Sequence, residues 1–334
     1  MTASGTLITA AQYNALQSQV SAILGIDPSN PANGYNQTVQ SSPLVRDATT
    51  QQYPVISSPL HWVKLRNDIA NCATHQGTSI TALSNLPITA GTLIYANDYD
   101  TFASAVALIV ANKNSIDSGQ SSTTALTAPT YIATAGPAPS LMFKSQLVHS
   151  FTISWTSAQN MRGFFNSGGL IKFNASRTGG NITGNPAPAP QNLAWETLLS
   201  ALGLNGISFG LAGTSGAVGT GSAVGPYNLL LSSTQIYTYS GGVTYGGNDY
   251  TIYASCNVAN NNTGTATSMT FNVQFNDDYA GRGTTYNPPG STATKNPAFD
   301  YVTGTFTSSI SYRVSIGNVN AINPTLAFSQ FSGA

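Results

Sequence analysis

The apolar residues of this 334-residue chain repeat with one period up to about residue 120 and with another after residue 141. A helix that buries one face repeats its apolar positions every three to four residues, and a half-buried strand repeats them every two. No single regular element satisfies both patterns. The chain must therefore build a helical region first and a β region second.

In the first part, Tyr13, Leu16, Val20 and Ile23 fall at offsets 0, 3, 7 and 10. Trp62, Leu65, Ile69 and Cys72 repeat those offsets, and so do Tyr99, Phe102, Val106 and Ile109. Each set is one face of a helix. The spacing predicts three helices, near 10–24, 59–75 and 97–114. Thr9, Ser57-Ser58 and Asn97 stand where N-caps belong, and Pro59 suits a first helical turn. Gly25 and Gly77 follow the first two runs, as C-terminal glycines do. These repeated positions, from Tyr13 to Ile109, form the candidate helix-packing or docking face. The segments between them, such as 30–54, are long for a compact bundle and are expected to wrap over a neighbouring chain.

Residues 121–140 are rich in Ser, Thr, Ala and Pro and read as a linker. From 141 to 334 the period is two. Leu147, His149, Phe151, Ile153 and Trp155 share one face of a strand. Tyr250 to Val258, Met269 to Phe275 and Phe306 to Ile316 alternate in the same way. One helix interrupts them, near 192–202, with Asn192 as its cap and Gly203 past its end. The predicted fold is α+β and mainly β. A small helical region with extended segments (1–120) precedes an antiparallel β-sandwich of jelly-roll or immunoglobulin-like kind.

Charge narrows the function. Charged residues are 7% of the chain, with eleven basic and eleven acidic; about 25% is usual. Such a chain offers no electrostatic footprint for nucleic acid and no basic patch for anionic lipid. Low net charge favours self-association. No continuous apolar run is long enough to insert in a membrane, and residues 1–20 have neither the basic start nor the apolar run of a targeting segment. Cys72 and Cys256 lie on apolar faces and are expected to be buried free thiols.

Groups for catalysis are scarce. Glu196 is the only glutamate, and His61, His75 and His149 are the only histidines. His61 and His75 share a helix face but stand about 21 Å apart by helix rise, too far to share a metal. His149 alternates with Phe151 and reads as a hydrogen-bonded core residue. The glycine-rich stretch 205–225 lacks the Lys-Ser/Thr of a phosphate loop and reads as a flexible or contact-forming loop. Asp249, Asp277, Asp278 and Asp300 border strands. Without the spacing of a calcium loop they read as turn-forming residues. No catalytic residue, metal site or cofactor is expected. Tyr237, Tyr239, Tyr245 and Tyr253 accompany glycine-rich turns, where tyrosine suits sugar faces and protein contacts alike.

The segments ITAAQYNALQSQVSAILG and ISSPLHWVKLRNDIANCATHQG resemble the N-terminal repeats of structural proteins of tailed bacteriophages, those of cyanobacterial and marine myoviruses in particular. HSFTISWTSAQNMRGFFNSGGLIKFNAS is similar to a strand–turn–strand of the same proteins. The resemblance covers 1–120 and 145–176 and carries no site residues. It implies a virion protein assembled in the host cytoplasm: a fiber, neck or baseplate appendage, or a capsid decoration. Its expected partners are itself, as a homo-oligomer and a trimer in particular, and other virion proteins. A glycan-binding adhesin recognising a host surface glycan is the alternative, and a hydrolase is the reading least in keeping with the composition.

Overall fold

The computed structural model describes residues 8–46, 59–89, 94–127, 130–133, 146–179, 189–203, 206–241, 247–277, 302–329 and 331–333. Ser57, Ser58, Tyr245, Asp278 and Asp300 lie outside the described residues, as do 47–54 of the first connector and 134–140 of the expected linker.

Three long helices form where the periodicity places them: α1 (Ala10–Leu24), α2 (Pro59–Gln76) and, after the single turn α3 (Thr81–Ser84), α4 (Ala96–Ala111). Thr9 caps α1 in a capping box with Gln12. Asn97 is not the cap of α4; Tyr95 holds that position, and its N–H is taken by the Asp98 carboxylate at 2.8 Å. Helices of this length are marginal alone in water. What holds them is a shared core in which Tyr13, Trp62, Leu65, Ile69, Phe102, Val106 and Ile109 are buried to within 1%.

The three helices run parallel. Tyr13 meets Trp62 at 5.2 Å and Trp62 meets Phe102 at 4.8 Å near the helix starts. At the other end, Tyr35 gathers all three helix C-termini. Its N–H donates to Ile23 O (2.8 Å), and its hydroxyl accepts from Gln76 Nε2 (2.9 Å) and donates to Lys113 O (2.6 Å). Parallel helices need long return segments. The described part of the first connector, to residue 46, runs along its own helices. Gln40 and Ser41 N–H donate to the buried carboxylate of Asp68 (3.0 and 2.7 Å), and Leu44 exchanges two bonds with Asn14 (2.7 and 2.9 Å).

The β region has two antiparallel sheets. In chain order its elements are β1 (Ser121–Thr127), β2 (Thr130–Ala133), β3 (Gln146–Ser154), α5 (Ala158–Asn166), β4 (Leu170–Thr178), α6 (Ala189–Ala201), β5 (Ile207–Gly210), β6 (Gly213–Ser215), β7 (Thr220–Gly221), β8 (Thr234–Ser240), β9 (Asn248–Cys256), β10 (Ser268–Asp277), β11 (Gly304–Ser315), β12 (Thr325–Phe328) and β13 (Ser332–Gly333). One sheet runs β1-β11-β4-β5-β6 with β2 also on β11; the other runs β12-β3-β10-β9-β8-β7 with β13 also on β3. The chain crosses between sheets from β1 to β3 to β4 and again from β10 to β11 to β12. Its first strand pairs with β11 and its third with β10, the nested pairing of a jelly roll. The β8–β9–β10 meander departs from that plan.

Alternation places the core as the sequence predicts. Leu147, Phe151, Ile153, Phe271, Val273 and Phe275 face inward and are buried. Phe271 stacks on Phe151 at 5.3 Å and meets Phe173 and Phe209 from the opposite sheet at 5.2 and 5.4 Å.

Four expectations change. Residues 121–127 and 130–133 are not linker but edge strands on β11, because hydroxyl-rich extended backbone serves a sheet edge as well as a spacer. The strand–turn–strand contains helix α5, capped by Ser157, with Met161, Phe164 and Phe165 at helical spacing on its buried face. α6 starts three residues early, so Asn192 is an interior residue rather than a cap; its side chain exchanges two 2.9 Å bonds with Thr303. The glycine-rich stretch is paired rather than loose. It forms β5, β6 and β7, and an added Cβ at Gly221 would lie 2.1 Å from Thr214 O.

The two regions share one core element. Val319, between β11 and β12, is fully buried in the helical cluster more than two hundred residues after it begins. Val319→Ala should remove roughly 2 kcal/mol. Helical ellipticity and tryptophan fluorescence, followed through urea unfolding, should shift by the same amount in one cooperative transition.

Candidate functional site at the junction of helices and sandwich

A dense polar cluster lies where the chain leaves α1. The segment 25–37 curls because Asp27 binds its own downstream backbone. One carboxylate oxygen accepts from Ser29 N–H (2.9 Å), Ser29 Oγ (2.6 Å) and Asn30 N–H (3.2 Å), and the other accepts from Asn33 Nδ2 (2.9 Å). These bonds, that from the Ser29 hydroxyl foremost, hold the Asp27 carboxyl below the usual range. Gly34 takes φ +88, and Asn36 is left-handed at φ 56, a conformation asparagine tolerates.

The curl presents a row of backbone carbonyls to α5. Arg162 donates to Asp27 O (2.5 Å), Asn30 O (3.2 Å) and Pro31 O (3.3 Å). Asn166 Nδ2 reaches Pro31 O (2.9 Å), Asn33 O (2.7 Å) and Gly34 O (3.1 Å), while its Oδ1 accepts from Tyr227 Oη at 2.8 Å. Asn36 Nδ2 donates to Asn160 Oδ1 at 2.7 Å. Gln37 and Asn320 close the same seam, with Asn320 N–H on Gln37 Oε1 at 3.0 Å. The arrangement is a joint. Carbonyls that would otherwise need water are satisfied by amides and one guanidinium, which fixes the sandwich against the helices.

Two histidines lie in these interiors. His75 is fully buried at the C-terminal end of α2, with its ring 4.9 Å from that of Tyr35 and the backbone of Ser167 nearby. Neither ring nitrogen makes a hydrogen bond among the described residues. His149 is fully buried in the sandwich, where Nδ1 meets Ser308 Oγ of the opposite sheet at 3.0 Å and Nε2 has no such bond. Burial pushes both imidazoles down to about 4. Both are neutral at pH 7.

The face predicted to pack or dock is the interior of the helical core. Tyr13, Leu16, Val20, Ile23, Trp62, Leu65, Ile69, Phe102, Val106 and Ile109 are buried there, and Tyr99 is partly buried against them. They pack on one another, and only Tyr99 among them keeps partial exposure. The other candidates are dispersed. Tyr237 is in the sandwich core with its hydroxyl donating to Val218 O, and Tyr239 and Tyr253 are half-buried on β8 and β9. Asp277 is a buried carboxylate held by Gln191 Nε2 (2.7 Å) and the Asn248 amide (2.8 Å); Asp249 accepts from Thr251 and Asn276. No group of three or more His, Cys, Asp or Glu side chains able to hold a metal occurs among the described residues. Cys72 and Cys256 are buried free thiols, as expected. The one ion pair among the described residues, Arg177 with Glu196 at 3.5 Å, accompanies three bonds from Arg177 to the carbonyls of Thr303 and Gly179. Arg177 is thus another strut between strand and loop.

The sequence reading missed Arg162, Asn166 and Tyr35. The available signal was Ser157 followed by the helical spacing of Met161, Phe164 and Phe165, which places Arg162 and Asn166 four residues apart on one helix face.

No family model, no curated protein and no solved structure matches this chain.

Two outcomes test the joint. Gly163, inside α5, faces the curl, and an added Cβ would lie 2.9 Å from Tyr35 O and 2.7 Å from Asn36 Cβ. Gly163→Ala stabilises an exposed helix by about 1 kcal/mol; here it should destabilise by roughly 1–3 kcal/mol through overpacking, measured by urea unfolding. The second outcome concerns acid. Both histidines have folded values below the unfolded one, so the unfolded chain takes up protons first. Stability should be complete above pH 6.5 and fall as the pH drops toward about 4, by on the order of 3 kcal/mol per histidine. Histidine-to-glutamine variants should flatten that slope in urea midpoints taken across the range.

Proposed function

We propose that this chain is a non-enzymatic structural component of a tailed-phage particle, a tail, neck or baseplate appendage protein that works as one rigid block. The observation that carries the reading is where the polar side chains go. In a chain with 7% charged residues, the amides and guanidinium groups of the junction are spent on internal backbone carbonyls. That investment suits a part that must hold its shape within an assembly. A neutral hydroxyl and amide surface costs little to desolvate, which suits permanent contacts.

Three further observations fit. Asp27 and Arg162 at the junction and His149, Arg177 and Asp277 in the sandwich are engaged in internal contacts. The repeats that carry the phage resemblance build one parallel helical core. No helix among the described residues is long and apolar enough to cross a membrane. The resemblance to phage structural proteins supplies the kind of particle. Capsid decoration fits the same features. Of the tyrosines behind the glycan-binding alternative, Tyr237 is in the core, and Tyr239 and Tyr253 are half-buried.

Purified particles of the phage encoding this chain test the reading. Mass spectrometry of the particles should find the chain at a fixed stoichiometry with other structural proteins, and a cryo-EM map should place both of its regions in ordered density. Recovery of the chain only in the free fraction of the lysate would reject the proposal.

A further inference from the structure

The two lateral sides of the sandwich are finished differently. On one side the sheets are tied together: Thr214 N–H of β6 donates to Ser222 O at 2.8 Å, and Ser222 N–H donates to Ile236 O of β8 at 3.0 Å. On the opposite side, among the described residues, one sheet ends in β1 and β2 and the other in β12 and β13. β1 is bonded along one edge to β11, from Ser121 opposite Ser315 to Ala125 opposite Ser311. Along its outer edge residues 121–125 have no backbone partner among the described residues. Thr123, Thr124 and Ala125 are exposed.

A free edge is a template for another strand, and proteins usually guard it with lysine, proline or an inward charge. Residues 121–125, SSTTA, contain none of these, and neither the 121–127 strand nor the 325–333 edge beside it holds a charged residue. The single irregularity is the bulge between Ala125 and Thr127, which ends the straight run after five residues.

We propose that the outer edge of β1 is an interface for a second copy of this chain, paired antiparallel about a two-fold axis through Thr123. The occupant follows from self-complementarity. An antiparallel edge is its own partner under a two-fold rotation, which closes the assembly at two copies. Centred on Thr123, the pairing sets Ser121 against Ala125, Ser122 against Thr124 and Thr123 against its own counterpart. Small hydroxyl side chains pair well across strands, and no like charges meet. The contact makes one continuous sheet of the two copies' β1-bearing sheets. A two-fold contact does not by itself yield the trimer implied by the phage resemblance. The inference needs only the edge and is independent of the particle reading.

Residues directly opposite in an antiparallel pair stand about 4.5–5.5 Å apart, within disulfide reach. Cys72 and Cys256 are buried and do not interfere. Thr123→Cys should therefore give a covalent dimer under mild oxidation, and Ser104→Cys, exposed on α4, should not. Light scattering of the unmodified chain should give a dimer. Thr123→Glu places two like charges on the axis while standing opposite Arg313 within its own chain, so it should give a folded monomer with an unchanged far-ultraviolet spectrum. A monomeric unmodified chain, a dimer or trimer untouched by Thr123→Glu, or equal cross-linking at residues 104 and 123 would overturn the proposal.

Discussion

Tyr35 sits where three helix C-termini meet, and the rest of the architecture hangs on that point. A helix C-terminus leaves carbonyls without partners, and three parallel helices bring three such ends together. The Tyr35 backbone takes the end of α1, and its hydroxyl stands between Gln76 at the end of α2 and Lys113 just past α4. Gln76 also donates to Ile109 O at 3.0 Å. With those ends tied, the curl before Tyr35 is fixed in position, and Arg162 and Asn166 of α5 find its carbonyls already aligned. The sandwich is held to the helices through this sequence of local satisfactions, with Val319 completing the helical core from the far end of the chain.

A scarcity of charge shapes how the joint is made. Most proteins would use ion pairs at a domain junction. Here the strong acceptors are backbone carbonyls and the donors are largely side-chain amides, neutral and short. Such bonds avoid the desolvation penalty of buried ions, and their geometry is demanding. Asn166 meets that demand by contacting three carbonyls and a tyrosine hydroxyl at once. A joint of this kind is rigid and insensitive to salt, properties suited to a part of an assembly. The same neutrality leaves edges such as β1 without the charges that ordinarily discourage pairing.

Much of the architecture was legible in order of residues. The offsets of Tyr13, Trp62 and Tyr99 located the helices to within a few positions, and the alternation around Phe151, Phe271 and Phe306 located the main strands and their inward faces. Less was legible where one local pattern serves two structures. The hydroxyl-rich 121–127 reads as linker or as edge strand, since both are extended and both tolerate small polar side chains. α5 was hidden because its nine residues are too short for periodicity to stand out beside the strands around it.

What the sequence determined alone is period and burial: which residues form helices, which form strands, and which face of each turns inward, because these depend on spacings of a few positions. What only the tertiary structure decided is direction and connection. Parallel helices, return segments folded on their own helices, the buried role of the predicted docking face and the joint of Arg162 and Asn166 with residues 27–34 all depend on contacts between elements, from 28 residues apart at Gln40–Asp68 to 135 at Asp27–Arg162. No local spacing encodes those contacts. They arise from satisfying helix ends and loop carbonyls in a chain that has almost no charge with which to do it.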